Sequence, residues 1–360
     1  MKAIIPTGGR GTRMRPLTFS TNKHFIPVAN KPIIFYPIET VVKAGIKDIA
    51  ITYNPGGLEE ARLLLGDGSR WGAKFTYILQ EEPKGLANVF QVCEEYLNEE
   101  AFLMHNGDNI FVEGIEDLVK YFLKEKPHGV VIYVKHPDNK RLGVPFFDEK
   151  SKFFRYVEKP DNPPNNFGIT GLYFFDSNVF GCFRGKDPIT PSERGELEIS
   201  SPYNWLLDHN FRVDAIEYKG KWMDPGKFDD WLEANQYLLK HNLKEKIESQ
   251  PDEDSKIEGT VEIGSGCTIV KSKIKGPTII GDNVTVEESA IGPFTSVADD
   301  CQIISSKVEN SVLMSGVKIL DVWEHPVNGS LIGTDTEVLG ANGYKATTSI
   351  FVGEKSKIQI

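Results

Sequence analysis

Ten aliphatic residues, Ile257, Ile263, Ile269, Ile274, Ile280, Val286, Ile291, Val297, Ile303 and Val308, recur in steps of six, six and five, three times over. Neither a helical period of about 3.6 nor a strand period of about two generates that spacing. A three-sided coil does, with one inward aliphatic on each side and turns of glycine and small polar residues between them. The runs Ile263-Gly264-Ser265-Gly266, Ile280-Gly281-Asp282-Asn283 and Ile291-Gly292-Pro293-Phe294 supply such turns. The spacing therefore predicts a parallel β-helix over 257–360, regular to Met314, blurred beyond it, and partly restored at "LIGTDTEV" and "IFVGEKS".

The earlier part of the chain has another rhythm. Apolar β-branched runs such as "KAIIPT", "IKDIAITYN" and "KFTYILQ" alternate with amphipathic stretches such as "IIFYPIETVVKAG" and "IEDLVKYFLKE". Strand followed by helix, repeated, predicts an α/β domain with a parallel sheet covered on both faces. Such sheets bind ligands beyond the carboxyl ends of their strands, where the loops "TGGRGTR" and "NGDN" emerge. The stretch from Lys227 to Ser249 reads as one amphipathic helix, followed by the polar run "QPDEDSK". The expected organisation is a domain over 1–248, a linker over 249–256 and the β-helix over 257–360.

Charge and composition exclude several classes of function. With 41 Lys and Arg against 51 Asp and Glu, the net charge of −10 opposes a general nucleic-acid surface, so anions must be met by local clusters of basic residues. No apolar run approaches the roughly 20 residues that span a bilayer, and the start "MKAIIPTGG" has no long apolar leader, so a cytoplasmic protein is expected. The four cysteines, Cys93, Cys182, Cys267 and Cys301, lie too far apart for a metal motif and read as small buried apolar residues.

The turn "GGRGTRMRP" from Gly8 to Pro16 is neither of two familiar phosphate loops. A dinucleotide fingerprint needs a third glycine and an uninterrupted helix, and a P-loop needs Gly-Lys-Ser/Thr. What remains is a run of small residues whose backbone N–H groups can approach phosphate oxygens, flanked by Arg13 and followed by Lys23.

The run "GGRGTRMRPLTFSTNKHFIPVANKPI" resembles the signature of nucleotidyltransferases that make nucleoside-diphosphate sugars. "GDGSRWG", "GLANVF", "NGDN", "EKPDNP", "ITGLYFFD", "RGELEIS" and "WMDPG" follow in the order seen in glucose-1-phosphate thymidylyltransferases, over residues 1 to about 245. The long form of that family carries a C-terminal left-handed β-helix, in keeping with the repeats. The resemblance implies a Rossmann-like mixed, mostly parallel sheet and transfer of a nucleotidyl group from dTTP or UTP to glucose 1-phosphate, with pyrophosphate leaving and Mg²⁺ required.

Joining a sugar phosphate to a triphosphate brings two anions together, so catalysis by charge neutralisation and alignment is expected rather than a covalent nucleophile. By resemblance, Gly8, Gly9, Gly11 and Thr12 form the turn under the nucleotide. Arg13 holds the outer phosphates, Lys23 reaches the chain near the α-phosphate, and Asp108 and Asp224 hold the metal. Arg10 and Arg15 are close enough in sequence to share the task of Arg13. Gln80 and Gly85 map onto the contacts to a pyrimidine base, Gln80 offering both a carbonyl and an amide. Gly143, Glu158, Lys159, Thr170, Gly171, Arg194 and Glu196 map onto the sugar-phosphate contacts, with Lys159 and Arg194 gripping the phosphate and Glu158 accepting from sugar hydroxyls. Trp222 is either near this site or a core residue.

Three positions depart from the family pattern: Pro6-Thr7 replaces Leu-Ala, Pro145 replaces valine, and Pro225 replaces threonine. The partners implied are the nucleotide, the sugar phosphate and other copies of the chain in a homo-oligomer, with no nucleic acid and no membrane. Two alternatives stay open. One is a second, acyltransferase activity in the β-helix, for which His325 would be the candidate base. The other is a non-catalytic regulatory homologue, although the signature residues of catalysis are retained.

Overall fold

A computed structural model describes residues 1–9, 11–324, 326–340 and 350–359. They pack as two compact units, one of 1–9 with 34–223 and the other of 10–33 with 224–360.

The first unit is built on a seven-stranded sheet. Its strands lie in the order Val213–Glu217, Gly129–Lys135, Phe167–Phe175, Phe102–His105, Lys2–Pro6, Asp48–Tyr53 and Lys74–Leu79. Only Phe167–Phe175 runs antiparallel to its neighbours, so the sheet is mixed and mostly parallel, as the family resemblance implies, where the rhythm alone predicts a parallel one. Ala3, Ile4 and Ile5 are all fully buried. A strand that shows solvent neither face is what a centrally placed, covered parallel strand requires. Helices Phe35–Lys43, Leu58–Leu65, Leu86–Val92, Glu116–Glu125 and Ser200–Asp208 follow or interleave with the strands. Phe90, Phe102, Phe175, Phe180 and Tyr203 form the aromatic part of the core.

The departures at Pro6 and Pro145 fit their places. Lys2–Pro6 pairs with Phe102–His105 only as far as Ile4, so the N–H that Pro6 lacks removes no bond on that side. Pro145 lies in a separate two-stranded sheet, Gly143–Phe147 with Phe153–Glu158, and its carbonyl accepts from Asn165 Nδ2 at 2.7 Å. The short strand Trp222–Met223 pairs antiparallel with Ile110–Phe111, Met223 opposite Ile110.

In the second unit three stacks of short parallel strands form the faces of a β-helix, consistent with the left-handed form. The strand register reproduces the sequence spacing. Ile257 pairs with Ile274, Ile274 with Ile291 and Ile291 with Val308 on one face. Ile263, Ile280 and Val297 align on the second face, and Ile269, Val286 and Ile303 on the third. The pattern blurs after Met314 because the coils change size there: Ile303 pairs with Ile319, but Val308 pairs with Val327 and Ile319 with Val338. Corner residues Gly266, Asn283, Asp300 and Gly316 all have positive φ, which explains the glycine, asparagine and aspartate at those turns.

Two sequence expectations need correction here. The helix predicted over 227–249 spans Phe228–Asn242, and Lys246–Ile247 is already a strand paired with Glu262–Ile263. The stretch 249–256 is not a free linker: the N–H groups of Glu248, Asp252 and Lys256 donate to Ile263, Ile269 and Ser272, closing the first coil. Its polar composition reflects an exposed solenoid turn rather than an unpaired backbone.

The described residues 11–33 belong to this unit, and the stretch around Pro27–Asn30 is tied to it by specific contacts. Trp231 Nε1 donates to Pro27 O at 2.8 Å, Ala29 N donates to Asn235 Oδ1 at 2.9 Å, and Asn30 Nδ2 donates to Val297 O at 2.6 Å. Asn235 also accepts from Ser296 Oγ at 2.8 Å, tying the helix and the β-helix together. Among the described residues no helix is long and apolar enough to cross a membrane.

Candidate active site

The first unit gathers most of the expected base and sugar residues. Gly8 ends the first strand's loop, and a Cβ there would lie 2.8 Å from both Asn54 Oδ1 and Gln80 Oε1. Only glycine leaves the two side chains in place. Asn54 Nδ2 donates to Gly8 O, and Thr7 Oγ1 donates to Thr52 O at 2.7 Å. The unusual threonine is therefore committed to the neighbouring strand. Gln80 is buried, and its Nε2 donates to Asn88 Oδ1 at 3.0 Å, while Asn88 Nδ2 donates to Gln91 Oε1 at 3.1 Å. Gly85 has φ +102°, and a Cβ there would meet the Leu197 backbone at 2.5 Å. This glycine permits a close crossing of two chain segments. Gly9 is exposed.

Around Asp108 the loop Asn106–Asn109 closes on the strand Phe167–Phe175. Asn106 N donates to Gly171 O at 2.8 Å, and Gly171 N donates to Asn109 Oδ1 at 3.1 Å. Asn109 Nδ2 in turn donates to Asp108 Oδ1 at 3.0 Å. Trp222 joins the same group, its Nε1 donating to Asn109 Oδ1 at 2.9 Å. The strand pairing shifts register between Ile169 and Tyr173, the kind of irregularity that re-aims residues beside a site. Thr170 is buried and its hydroxyl donates to Ile132 O at 3.1 Å, so it serves the sheet. His105 is fully buried with Nδ1 2.9 Å from Asn106 O, and burial pushes its pKa down to about 4.

A second group lies at Glu158. Burial raises the pKa of its carboxyl above the ordinary range, Lys159 and Arg194 opposing the shift and Glu198 adding to it. Lys159 Nζ is 3.7 Å from Glu158 Oε1, and Arg194 Nε is 3.8 Å from Glu198 Oε1. Ser192 Oγ donates to Glu198 Oε1 at 2.9 Å. Of the two glutamates in "RGELE", Glu198 joins this group, while Glu196 is exposed. Glu198 was missed in the sequence because neighbouring acidic residues in a loop give no signal of which one turns inward. At Gly143 the space for a Cβ is filled by the Tyr156 ring, 2.2 Å away.

The second unit carries the basic residues expected at the triphosphate, Arg13 and Lys23. Gly11 has φ +57°, and a Cβ there would lie 3.2 Å from Lys23 Cβ. Thr18 Oγ1 donates to Gly11 O at 2.7 Å, and Thr12 begins a short turn over Thr12–Met14. Lys23 is buried and Arg13 exposed. The Arg13 guanidinium lies beside Gly226, where a Cβ would be 3.2 Å from Nη1, and so stands next to the segment that carries Asp224. Arg15 differs: its guanidinium lies over the Phe19 ring, 4.9 Å from the centroid. Arg10 and His325 lie outside the described residues.

The loop carboxylate of Asp108 in the first unit is a hard oxygen donor of the kind a divalent cation takes. Among the described residues no group of three or more His, Cys, Asp or Glu side chains forms a metal cage. A single loop carboxylate suits a hard cation that takes most of its shell from phosphate oxygens and water.

The nucleotidyl transferase family model matches residues 2–241. Over its full length the chain is 36% identical to a glucose-1-phosphate thymidylyltransferase of Streptomyces antibioticus, of which it covers 99%. It is 37% identical over 264 residues to a nucleotidyltransferase of low-salt glycan biosynthesis from Haloferax volcanii, covering 73% of this chain and 72% of that one. A Bacillus anthracis structure described as a glucose-1-phosphate thymidylyltransferase, solved with a sucrose, matches with TM-score 0.62 and 32% identity, over 68% of this chain and 97% of that chain.

Proposed function

This chain belongs to the nucleotidyl transferase family and acts on sugar 1-phosphates, and we propose that it joins dTTP, or UTP, to glucose 1-phosphate. In this reading a phosphate oxygen of the sugar attacks the α-phosphorus in line. The new P–O bond forms as the bond to the oxygen bridging the α- and β-phosphates breaks, giving dTDP-glucose and pyrophosphate.

The observation that carries the pyrimidine choice is the commitment of Gln80. With its amide held by Asn88, its carbonyl is the group turned toward Gly8. An acceptor in that place favours a base with an imide N–H, as in thymine and uracil. The full-length similarity to thymidylyltransferases supports glucose 1-phosphate as the acceptor.

Arg13 and Lys23 are assigned to the triphosphate, countering the charge on the leaving pyrophosphate and near the α-phosphate. Gly8, Gly9, Gly11 and Thr12 shape the turn, and Gly85 admits the base. Lys159 and Arg194 hold the sugar phosphate, Glu158 accepts from the sugar hydroxyls with Glu198 beside it, and Gly143 and Gly171 are assigned to the sugar side. Asp108 and Asp224 would hold Mg²⁺, which when bound draws charge from the phosphate oxygens. The β-helix is assigned an architectural role in a cytoplasmic homo-oligomer, which sedimentation at several concentrations tests.

The test of the reaction is pyrophosphate release with dTTP, UTP, ATP and GTP, each paired with glucose, galactose and glucosamine 1-phosphates in Mg²⁺. The highest kcat/KM is expected for dTTP or UTP with glucose 1-phosphate, and Asp108→Asn should abolish release. No release in any pairing overturns the proposal.

A further inference from the structure

Asn109 touches three parts of the candidate site through one side chain. Its Oδ1 accepts from the Gly171 N–H at 3.1 Å and from the Trp222 indole N–H at 2.9 Å. A backbone N–H and an indole N–H can only donate, so the oxygen of the amide must face them. The nitrogen is thereby turned toward Asp108, where it donates to Oδ1 at 3.0 Å. The residue is buried, and a Cβ at Gly171 would stand 2.4 Å from its Oδ1, so the close approach depends on that glycine.

We propose that Asn109 is a positioning residue: anchored by Trp222 and Gly171, it fixes the rotamer of the Asp108 carboxylate for a nucleotide-bound divalent cation. The proposal rests on the nucleotidyl-transfer reading above. A carboxylate on a loop can rotate, and orienting it by a buried donor removes a freedom that cation binding would otherwise have to suppress. Alanine at 109 would take this donor away from Asp108 and leave the indole and Gly171 N–H groups without the amide oxygen they share. The same network gives Trp222 a role that packing alone would not: its N–H holds the amide the right way round.

The test is binding rather than turnover. Calorimetric titration of dTTP, or of UTP if that is the better substrate, is done once in EDTA and once in Mn²⁺. The ratio of the two affinities is the coupling between cation and nucleotide. Asn109→Ala should bind metal-free nucleotide as the wild type does, while the tightening by Mn²⁺ falls by about fivefold or more. Trp222→Phe keeps the ring and removes only the donor, and should show a smaller loss, about twofold. A folded Asn109→Ala chain with undiminished Mn²⁺ tightening overturns the proposal. If that variant does not fold, Trp222→Phe decides in the same way, undiminished tightening again counting against it. A wild-type chain that binds neither nucleotide under either condition refutes the nucleotidyl-transfer reading instead.

Discussion

Gln80 Nε2 donates to Asn88 Oδ1 at 3.0 Å, and its Oε1 stands where a Cβ on Gly8 would come within 2.8 Å of it. A strand-end residue with two faces has been given one, because the helix Leu86–Val92 that follows claims the other. On the proposed reading, discrimination between bases depends on a single acceptor. CTP, whose ring N3 is itself an acceptor, should be used with kcat/KM lower than dTTP by roughly 10- to 100-fold. Asn88→Ala, which releases the Gln80 amide to rotate, should narrow that gap. Competition assays between CTP and dTTP measure both effects, and equal use of the two nucleotides would remove the role given to Gln80.

Arg13 and Arg15 are two residues apart and point to different work. Arg13 lies beside Gly226, whereas Arg15 stacks on the exposed Phe19 ring. Arg13→Ala should lower kcat/KM by about 100-fold or more, the scale expected if its charge meets the leaving group as proposed. Arg15→Ala should change it by less than about threefold. Steady-state kinetics in both variants checks this, and a reversed order would move the phosphate contact to Arg15.

Glu158 carries a pH dependence. Burial raises its pKa, so in the folded chain it loses its charge at a higher pH than an ordinary glutamate does. In the role proposed for it, accepting from sugar hydroxyls, its charged form is the stronger acceptor, so the KM for glucose 1-phosphate should climb on acidification, from a pH above the usual carboxylate range. Glu158→Gln should bind the sugar phosphate more weakly at neutral pH and lose that dependence. The same shift has a cost in stability: above its folded pKa the buried carboxylate opposes folding, and on acidification this cost disappears. Glu158→Gln should therefore unfold no more readily than the wild type at pH 8, by thermal denaturation.

His105 acts in the opposite direction on acid stability. Its pKa is pushed down to about 4 by burial, while in the unfolded chain it returns to about 6.5. Between those values the unfolded chain binds a proton that the folded chain refuses, so stability falls as pH drops from about 6.5 to about 4, by up to roughly 3 kcal/mol. His105→Phe should flatten that part of the profile, the new ring packing on Phe111 as the imidazole does now at 5.2 Å. Urea denaturation at intervals between pH 4 and 7 checks it, and an unchanged slope would deny His105 this role.

The β-helix contains a buried serine ladder. Ser289 N donates to Ser272 Oγ at 3.1 Å, Ser306 N donates to Ser289 Oγ at 3.0 Å, and Val322 N donates to Ser306 Oγ at 3.0 Å. Each hydroxyl satisfies the backbone of the next coil, so Ser289→Ala leaves the buried Ser306 N–H without its acceptor. A loss of about 1–3 kcal/mol is expected. Chemical denaturation followed through the second unit measures it, and a loss below about 0.5 kcal/mol would mean the ladder is replaceable.

The six-six-five recurrence by itself determines the second fold, because a solenoid repeats one local solution and its register is written as spacing: Ile257, Ile274, Ile291 and Val308 stack as the count requires. The sheet of the first unit was legible for a similar reason, its strands being short covered runs and its helices amphipathic. The motif order carried the family. What the spacing could not carry is which side chains meet. Glu198 rather than Glu196 turns toward Glu158, Asn109 faces Trp222 across more than 100 positions of sequence, and the arm 27–33 is pinned to Asn235 and Val297. Those choices are made by hydrogen bonds between distant segments whose donors and acceptors are common residue types. Periodicity records which face of an element is buried; only the packed chain decides what each buried polar atom finds there.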